Sequence, residues 1–340
     1  MELSAALALS LGGQSLDRNQ ARAVFAGALR EDTDPVLFGA FLIALAQRGE
    51  TSEEIVGAAQ ALRAAAVPFE HDYPHAIDTC GTGGDGLGSF NFSTAAALVA
   101  AAAGATVIKH GNRSVSSDCG SADLLEAVGI ELELEPDQAR AVLDQVGITF
   151  LFAPRYHPTM RFAAPVRQAL GVRTLFNFLG PLCNPGRVRR QLLGVSDGAR
   201  VGDFAQALEG LGCERGYVVH GAGGADELTL EGPNQALPVG AAPALPLDAE
   251  ALGLASCPVA DLRGGGVERN VEILSAILAG EQGPLRDGVL INAAGALLVA
   301  ERAEDGPGAL ALAREALDSG AAARRLEGWV RISRAAAGSA

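Results

Sequence analysis

The sequence has no CxxC pair. Its five cysteines, Cys80, Cys119, Cys183, Cys213 and Cys257, are odd in number and widely scattered. This leaves neither a thiolate zinc site nor a dithiol redox pair, and points to free thiols in a reducing cytoplasm. A membrane-spanning run is also lacking, because the longest stretch of small apolar residues, 95–103, is short and meets Gly104. The first twenty residues contain an apolar stretch with no basic region before it, so they read as a first helix rather than a secretion signal. Basic charge is scarce: 26 Lys plus Arg face 40 Asp plus Glu, for a net charge of -14. That field repels nucleic acid and anionic membrane, and any anionic ligand must be captured by a local device. No internal repeat or low-complexity tract stands out. Neither a GxGxxG opening a helix nor a Gly-Lys-Ser/Thr loop is present.

What is present is a 340-residue chain, 49% hydrophobic and 19% charged, large enough for two soluble domains. From residue 2 to 66 the pattern is helical. Asp17 with Gln20, Asp34 before Pro35 and Thr51 with Glu54 mark helix starts, and Val36, Phe38, Leu42 and Leu45 form an apolar stripe. Beyond residue 75 short apolar runs at 76–80, 106–109, 149–153, 192–195 and 217–220 alternate with helical patterns. The expected fold class is therefore α/β: a small all-helical domain plus a large α/β domain with a mostly parallel central sheet. The helical domain takes residues 1–70, with 157–188 returning to it because that stretch, rich in Arg, Asn, Pro and Phe, breaks the alternation. Residues 75–156 and 189–340 form the α/β domain. Within it, 222–267 is rich in Gly, Pro and Ala with short strands at best, followed by three helical runs near 270–280, 287–302 and 307–334.

The stretch 78-DTCGTGGDGLGSFNFSTAAA-97 places five glycines in eight residues between a strand and a helix. Ser93 or Thr94 is the expected N-cap of that helix, and Gly104 its C′ residue. Exposed amides and the positive end of a helix dipole converge at such a junction and suit an oxyanion. A glycine-rich turn alone is an ordinary turn-former. The next segment, 109-KHGNRSVSSDCGSADLLE-126, strengthens the case, since consecutive strand-to-helix loops face one crevice in doubly wound sheets. There Lys109 and Arg113 offer point and forked charge, and Ser114, Ser116, Ser117 and Ser121 offer hydroxyls. The plainer alternative is a solvated serine-rich loop in which His110 and Asn112 are turn residues.

These two segments, together with 157-HPTMRFAAPVRQALGVRTLFNFLGPLCNP-185 and the Asp-Glu pair of 219-VHGAGGADELTL-230, resemble the anthranilate phosphoribosyltransferase family of tryptophan biosynthesis. The resemblance extends over nearly the whole chain, including the Asn-Ala-Ala run at 292–294. It implies a homodimer joined through the helical domains and magnesium-dependent use of phosphoribosyl pyrophosphate (PRPP), with anthranilate's amine displacing pyrophosphate at the anomeric carbon. By resemblance, PRPP is held on one side by Gly81, Gly84, Asp85, Ser89, Asn91, Phe92, Ser93 and Thr94. On the other side stand Lys109, His110, Gly111, Asn112, Arg113, Ser114, Val115, Ser116, Ser117 and Ser121. Anthranilate falls to Gly81, Asn112, Arg167, His110 and His157, with Arg167 forking onto its carboxylate.

The metal falls to Ser93, Asp226 and Glu227, oxygen donors of the kind Mg2+ prefers. Without the resemblance, adjacent acids after a strand are an ordinary charged turn. Asp85, a carboxylate in an anion site, suits a ribose hydroxyl or hydrated magnesium better than phosphate. No general base is obligatory for an arylamine nucleophile, and Lys109 is the expected stabiliser of the leaving group. Arg173 is expected to form a structural ion pair. Two alternatives stay open: a pyrimidine nucleoside phosphorylase, which shares the architecture and a similar Lys-x-Gly-x-Arg stretch, and a non-catalytic relative that binds nucleic acid.

Overall fold

In the computed structural model, which describes residues 1–114 and 118–338, four helices open the chain: α1 Leu3–Leu11, α2 Arg18–Ala28, α3 Pro35–Arg48 and α4 Ser52–Ala65. Their starts follow local chemistry. Asp17 and Gln20 close a capping box on α2, Thr51 and Glu54 close one on α4, and Asp34 caps α3 ahead of Pro35. Glu54 does more than cap. It is fully buried and also accepts from the Leu16 amide and the Arg48 guanidinium, tying α4 to the turn before α2.

Six strands form one sheet in the order β3-β2-β1-β4-β5-β6: β1 Ile77–Gly81, β2 Val107–Gly111, β3 Ile148–Phe152, β4 Arg190–Gly194, β5 Arg215–His220 and β6 Gln235–Gly240. The first five run parallel and β6 is antiparallel to β5. β6 lies in the stretch expected to hold short strands at best, and its Pro238 is tolerated because the strand is an edge. The sheet separates two apolar cores. Side chains alternate across it, so Leu192, Tyr217 and Val219 enter one core while Leu193, Val218 and Val239 enter the other.

The first core is covered by α5 (Phe92–Ala102) and the helices Pro136–Val146, Pro284–Val299 and Ala321–Ala337. The second is continuous with the bundle α1–α4 and includes the helices Met160–Leu170 and Phe176–Leu179. Phe176 packs edge-on against both Phe25 and Phe38 at centroid distances of 5.9 Å. Near the C-terminus the three expected helical runs become four, because Gly320 at φ 70° divides Gly306–Asp318 from Ala321–Ala337. Among the described residues no helix is long and apolar enough to cross a membrane.

Candidate active site

Strand order reverses at β1, which has β2 on one side and β4 on the other, so a crevice opens beyond the carboxyl ends of β1 and β4. Gly81 and Gly194 are register partners at those ends. Both are small because Asp226 lies on them: a Cβ on Gly81 would stand 2.1 Å from Asp226 Oδ2, and one on Gly194 would stand 1.5 Å from Asp226 O. Asp226 Oδ2 accepts the Gly83 amide at 2.6 Å. The segment is anchored from beneath by Asn292 of Pro284–Val299, whose side chain bonds both the N–H and the C=O of Leu228, at 3.0 and 2.8 Å.

Glu227 points at the start of α5. Its Oε1 accepts the Ser93 amide at 2.9 Å, and its Oε2 is buried without a partner. Here the structure corrects the expected N-cap: α5 begins at Phe92, and Ser93 and Thr94 lie in its first turn. Asn91 stands at the cap position but bonds Cys119 O at 3.2 Å and Asn270 Oδ1 at 3.1 Å, so a distant carboxylate satisfies the helix amide instead. Phe92 turns its ring into the core against Phe90 and the space left by Gly288, and Thr94 is also buried. Of this group Ser93 lines the small pocket it shares with Asp226 and Glu227. Ser89 pairs with Arg263 in an isolated antiparallel bridge that fastens the loop's far end. Asp85 Oδ1 accepts the Leu87 amide at 3.1 Å, while its Oδ2 is buried without a partner.

The three carboxyls crowd one another. Burial first, and then the Asp85 charge, push Asp226 up to about 7; burial and Asp226 push Glu227 well above the usual carboxylate range. The countercharge is Lys109, the only lysine of the chain. It is buried at the end of β2, donating to Thr79 O and to Ser93 Oγ, the latter at 3.3 Å. Burial lowers its pKa, and Asp78, Cys80 and Glu227 pull it back up.

Beyond β2 the chain departs from a uniform phosphate-facing loop. Arg113 forks onto Glu126 at 2.7 and 2.8 Å and reaches Asp123 at 3.2 Å, so its charge is committed to the helix Ser121–Ala127 rather than held free for phosphate. Asn112 is exposed, its Oδ1 accepting the Arg113 amide, and Ser121 Oγ donates to Asn112 O at 3.3 Å over the space left by Gly111. Ser114 donates its amide to Asp123 at 3.0 Å. Val115, Ser116 and Ser117 lie outside the described residues.

On the acceptor side His110 and His157 are buried with rings 5.1 Å apart, each leaving Nε2 without a partner. Burial holds both neutral, His157 down to about 4 and His110 well below its usual range. Arg167 sits half-buried over the Phe176 ring at 5.5 Å, its basicity lowered by burial, and among the described residues no acid pairs with it. Against the expected ion pair, no acid among the described residues pairs with Arg173. It donates to Gly84 O at 2.8 Å, Gly83 O at 3.3 Å and Ser196 Oγ at 3.4 Å.

Residues 73–323 match the glycosyl transferase family a/b domain, and residues 5–66 match the glycosyl transferase family helical bundle domain. The anthranilate phosphoribosyltransferase of Roseiflexus sp. (strain RS-1) is 48% identical over 330 residues, covering 96% of both chains. The chain belongs to the anthranilate phosphoribosyltransferase family. The Thermus thermophilus member superposes with a TM-score of 0.91 at 44% identity, covering 97% of this chain and 99% of its own. The Saccharomyces cerevisiae member, solved in complex with PRPP and Mg, has a TM-score of 0.88 at 25% identity and covers 98% of each chain.

Two residues that shape this family site, Gly194 and Asp78, were not singled out from sequence, and Asn292 entered only as part of the Asn-Ala-Ala run, without a role. Gly194 and Asn292 position the Asp-Glu pair. Asp78, fully buried in β1, accepts the His110 amide at 3.3 Å and the Asn184 side chain at 2.8 Å, joining β1, β2 and the segment after 180. A carboxylate inside an apolar strand was its available signal.

Proposed function

We propose that this chain transfers the phosphoribosyl group of PRPP to the amine of anthranilate, releasing pyrophosphate, in tryptophan biosynthesis. The observation that carries this reading is the meeting of Glu227, the amino end of α5 and Lys109 around Ser93, beside a loop of glycine amides. A helix start and loop amides suit phosphate oxygens, and the buried ammonium adds compact charge where a leaving pyrophosphate gathers its own. Arg167 supplies a cation that no acid among the described residues pairs with, available for the acceptor's carboxylate, on the segment whose Arg173 touches the glycine loop. The neutral His110–His157 pair, and Asn112, are assigned to the acceptor's surroundings. Asp85 is assigned to a ribose hydroxyl or a hydrated cation.

The donor set fits Mg2+. Among the described residues Glu227 Oε2 and Asp85 Oδ2 are buried oxygens with no hydrogen-bond partner, and burial and mutual charge raise Asp226 and Glu227 above the usual carboxylate range. Among the described residues no ready-made group of three or more His, Cys, Asp or Glu surrounds a metal position. Asp226, Glu227 and Ser93 Oγ would hold Mg2+, and when bound it offsets charge on the pyrophosphate. The arylamine is already a nucleophile at neutral pH, so the side chains bind, orient and exclude water rather than remove a proton.

Residues 1–70 and 157–188 are taken as the helical unit and 75–156 with 189–340 as the PRPP-binding unit. We assign a homodimer through the helical unit, because α1 and α3, with the helix Met160–Leu170, border an apolar groove of about 1050 Å3. Leu11 and Val36 on its walls are 72% and 79% exposed, large apolar side chains that a second copy would cover. A cytoplasmic location completes the assignment.

The experiment is loss of anthranilate fluorescence with PRPP and Mg2+, with pyrophosphate measured in parallel. Equal amounts consumed and released are expected. Release of thymine from thymidine with inorganic phosphate, and no anthranilate loss, would transfer the chain to the phosphorylase reading.

A further inference from the structure

Arg173 is reached by the chain between the helices Met160–Leu170 and Phe176–Leu179, yet its guanidinium lies on the glycine loop. It holds the carbonyls of Gly83 and Gly84 and the Ser196 hydroxyl, and stacks over the Phe178 ring at 5.8 Å. A Cβ on Gly84 would stand 2.2 Å from Arg173 Nη1, so the guanidinium covers one face of the loop closely.

A trans peptide unit points its C=O and the following N–H in opposite directions, and among the described residues every peptide bond is trans. Fixing the carbonyls of residues 83 and 84 on one face therefore turns the amides of Gly84 and Asp85 to the other. Neighbouring amides are already used: Thr82 bonds Gly194 O, Gly83 bonds Asp226, and Leu87 bonds Asp85. Among the described residues the amides of Gly84 and Asp85 have no partner. Gly83 and Gly84 both have positive φ, 68° and 76°. Consecutive amides freed by such a turn form a nest that takes an anion.

We propose that Arg173 is a positioning residue for the phosphoribosyl donor: it grips the carbonyl face of the glycine loop so that the Gly84 and Asp85 amides are presented to phosphate oxygens. The assignment rests on the donor reading above. It also explains why this position carries a fork. One guanidinium spans two carbonyls and a hydroxyl, whereas an ammonium cannot match that spread. Its positive charge further offsets the carbonyl dipoles that would otherwise repel an anion nearby.

The test is PRPP binding by titration calorimetry with Mg2+, alongside steady-state kinetics, for the wild type, Arg173→Lys and Arg173→Gln. Arg173→Gln is expected to raise the PRPP Kd and KM roughly tenfold, the scale for losing hydrogen bonds to a charged group, with the KM for anthranilate unchanged. Arg173→Lys, which keeps the charge, is expected to fall between the two and serves as the folded comparison. PRPP binding by Arg173→Gln equal to wild type overturns the proposal, as does a rise confined to the anthranilate KM or a lowered Tm with donor binding intact. If the wild type itself fails to bind PRPP, the donor reading has failed; if only the variants match wild type, the fault lies with Arg173 alone.

Discussion

The amide of Ser93 donates to Glu227 Oε1 at 2.9 Å, closing the start of α5 with a carboxylate 134 residues away. This places acidic charge where a helix dipole favours it, yet beside Asp226 and Asp85, so the free site stores carboxylate repulsion.

That repulsion has a pH dependence in the metal-free protein. Asp226 is raised from 3.8 to about 7 in the fold, so its contribution to stability is full below the ordinary carboxyl range and is lost as pH rises through about 7. Calorimetric Tm in chelator is expected to fall between about pH 4 and 7, on the order of a few degrees, to level off above that, and to fall less in Asp226→Asn. Identical slopes in the two proteins would contradict this.

The histidine pair has the opposite sign. His157 is lowered to about 4 and His110 lies well below 6.5, so the stability of keeping them neutral is full above about 6.5 and lost as pH falls towards 4. His157→Gln is expected to flatten the loss of Tm between about pH 6.5 and 4.5.

Arg167 is a half-buried cation with no acid partner among the described residues. Arg167→Ala is expected to raise the anthranilate KM by roughly 10–100-fold, the scale of a forked charge-assisted pair, while the PRPP KM holds. Stability should change little, since a desolvated charge is removed with the side chain. An effect on the PRPP KM alone would count against the assignment.

Gly81 admits Asp226 Oδ2 where a methyl group would stand 2.1 Å away. Gly81→Ala is expected to displace the Asp226 carboxylate, costing about 1–3 kcal/mol of stability and most of the turnover. Thermal melts and initial rates check both parts.

Much of the architecture was legible before the structure, and the reason is local. The caps Asp17/Gln20, Asp34 and Thr51/Glu54 act within three residues, and the five parallel strands show as apolar runs bounded by polar loops. What escaped was set by distant contacts. Ser93 looked like an N-cap because only its neighbours were visible, and its amide is instead taken by Glu227. Arg113 and Arg173 could be read as cations but not aimed; one turns to Glu126 and the other to backbone carbonyls. Phe92, placed near the donor by the resemblance, gave no sign that its ring fills the space above Gly288. Nothing along the chain announces that Gly194 must be small, because the group it accommodates is Asp226, brought from a loop beyond β5.

The most direct test of the site is the initial rate of anthranilate consumption with saturating PRPP across a magnesium titration, for the wild type and the double variant Asp226→Ala/Glu227→Ala. The wild-type rate is expected to rise with magnesium and saturate, and the double variant to lose roughly 100-fold or more, the scale of removing preorganised charge stabilisation. A double variant that keeps both the wild-type rate and its magnesium dependence would contradict the account.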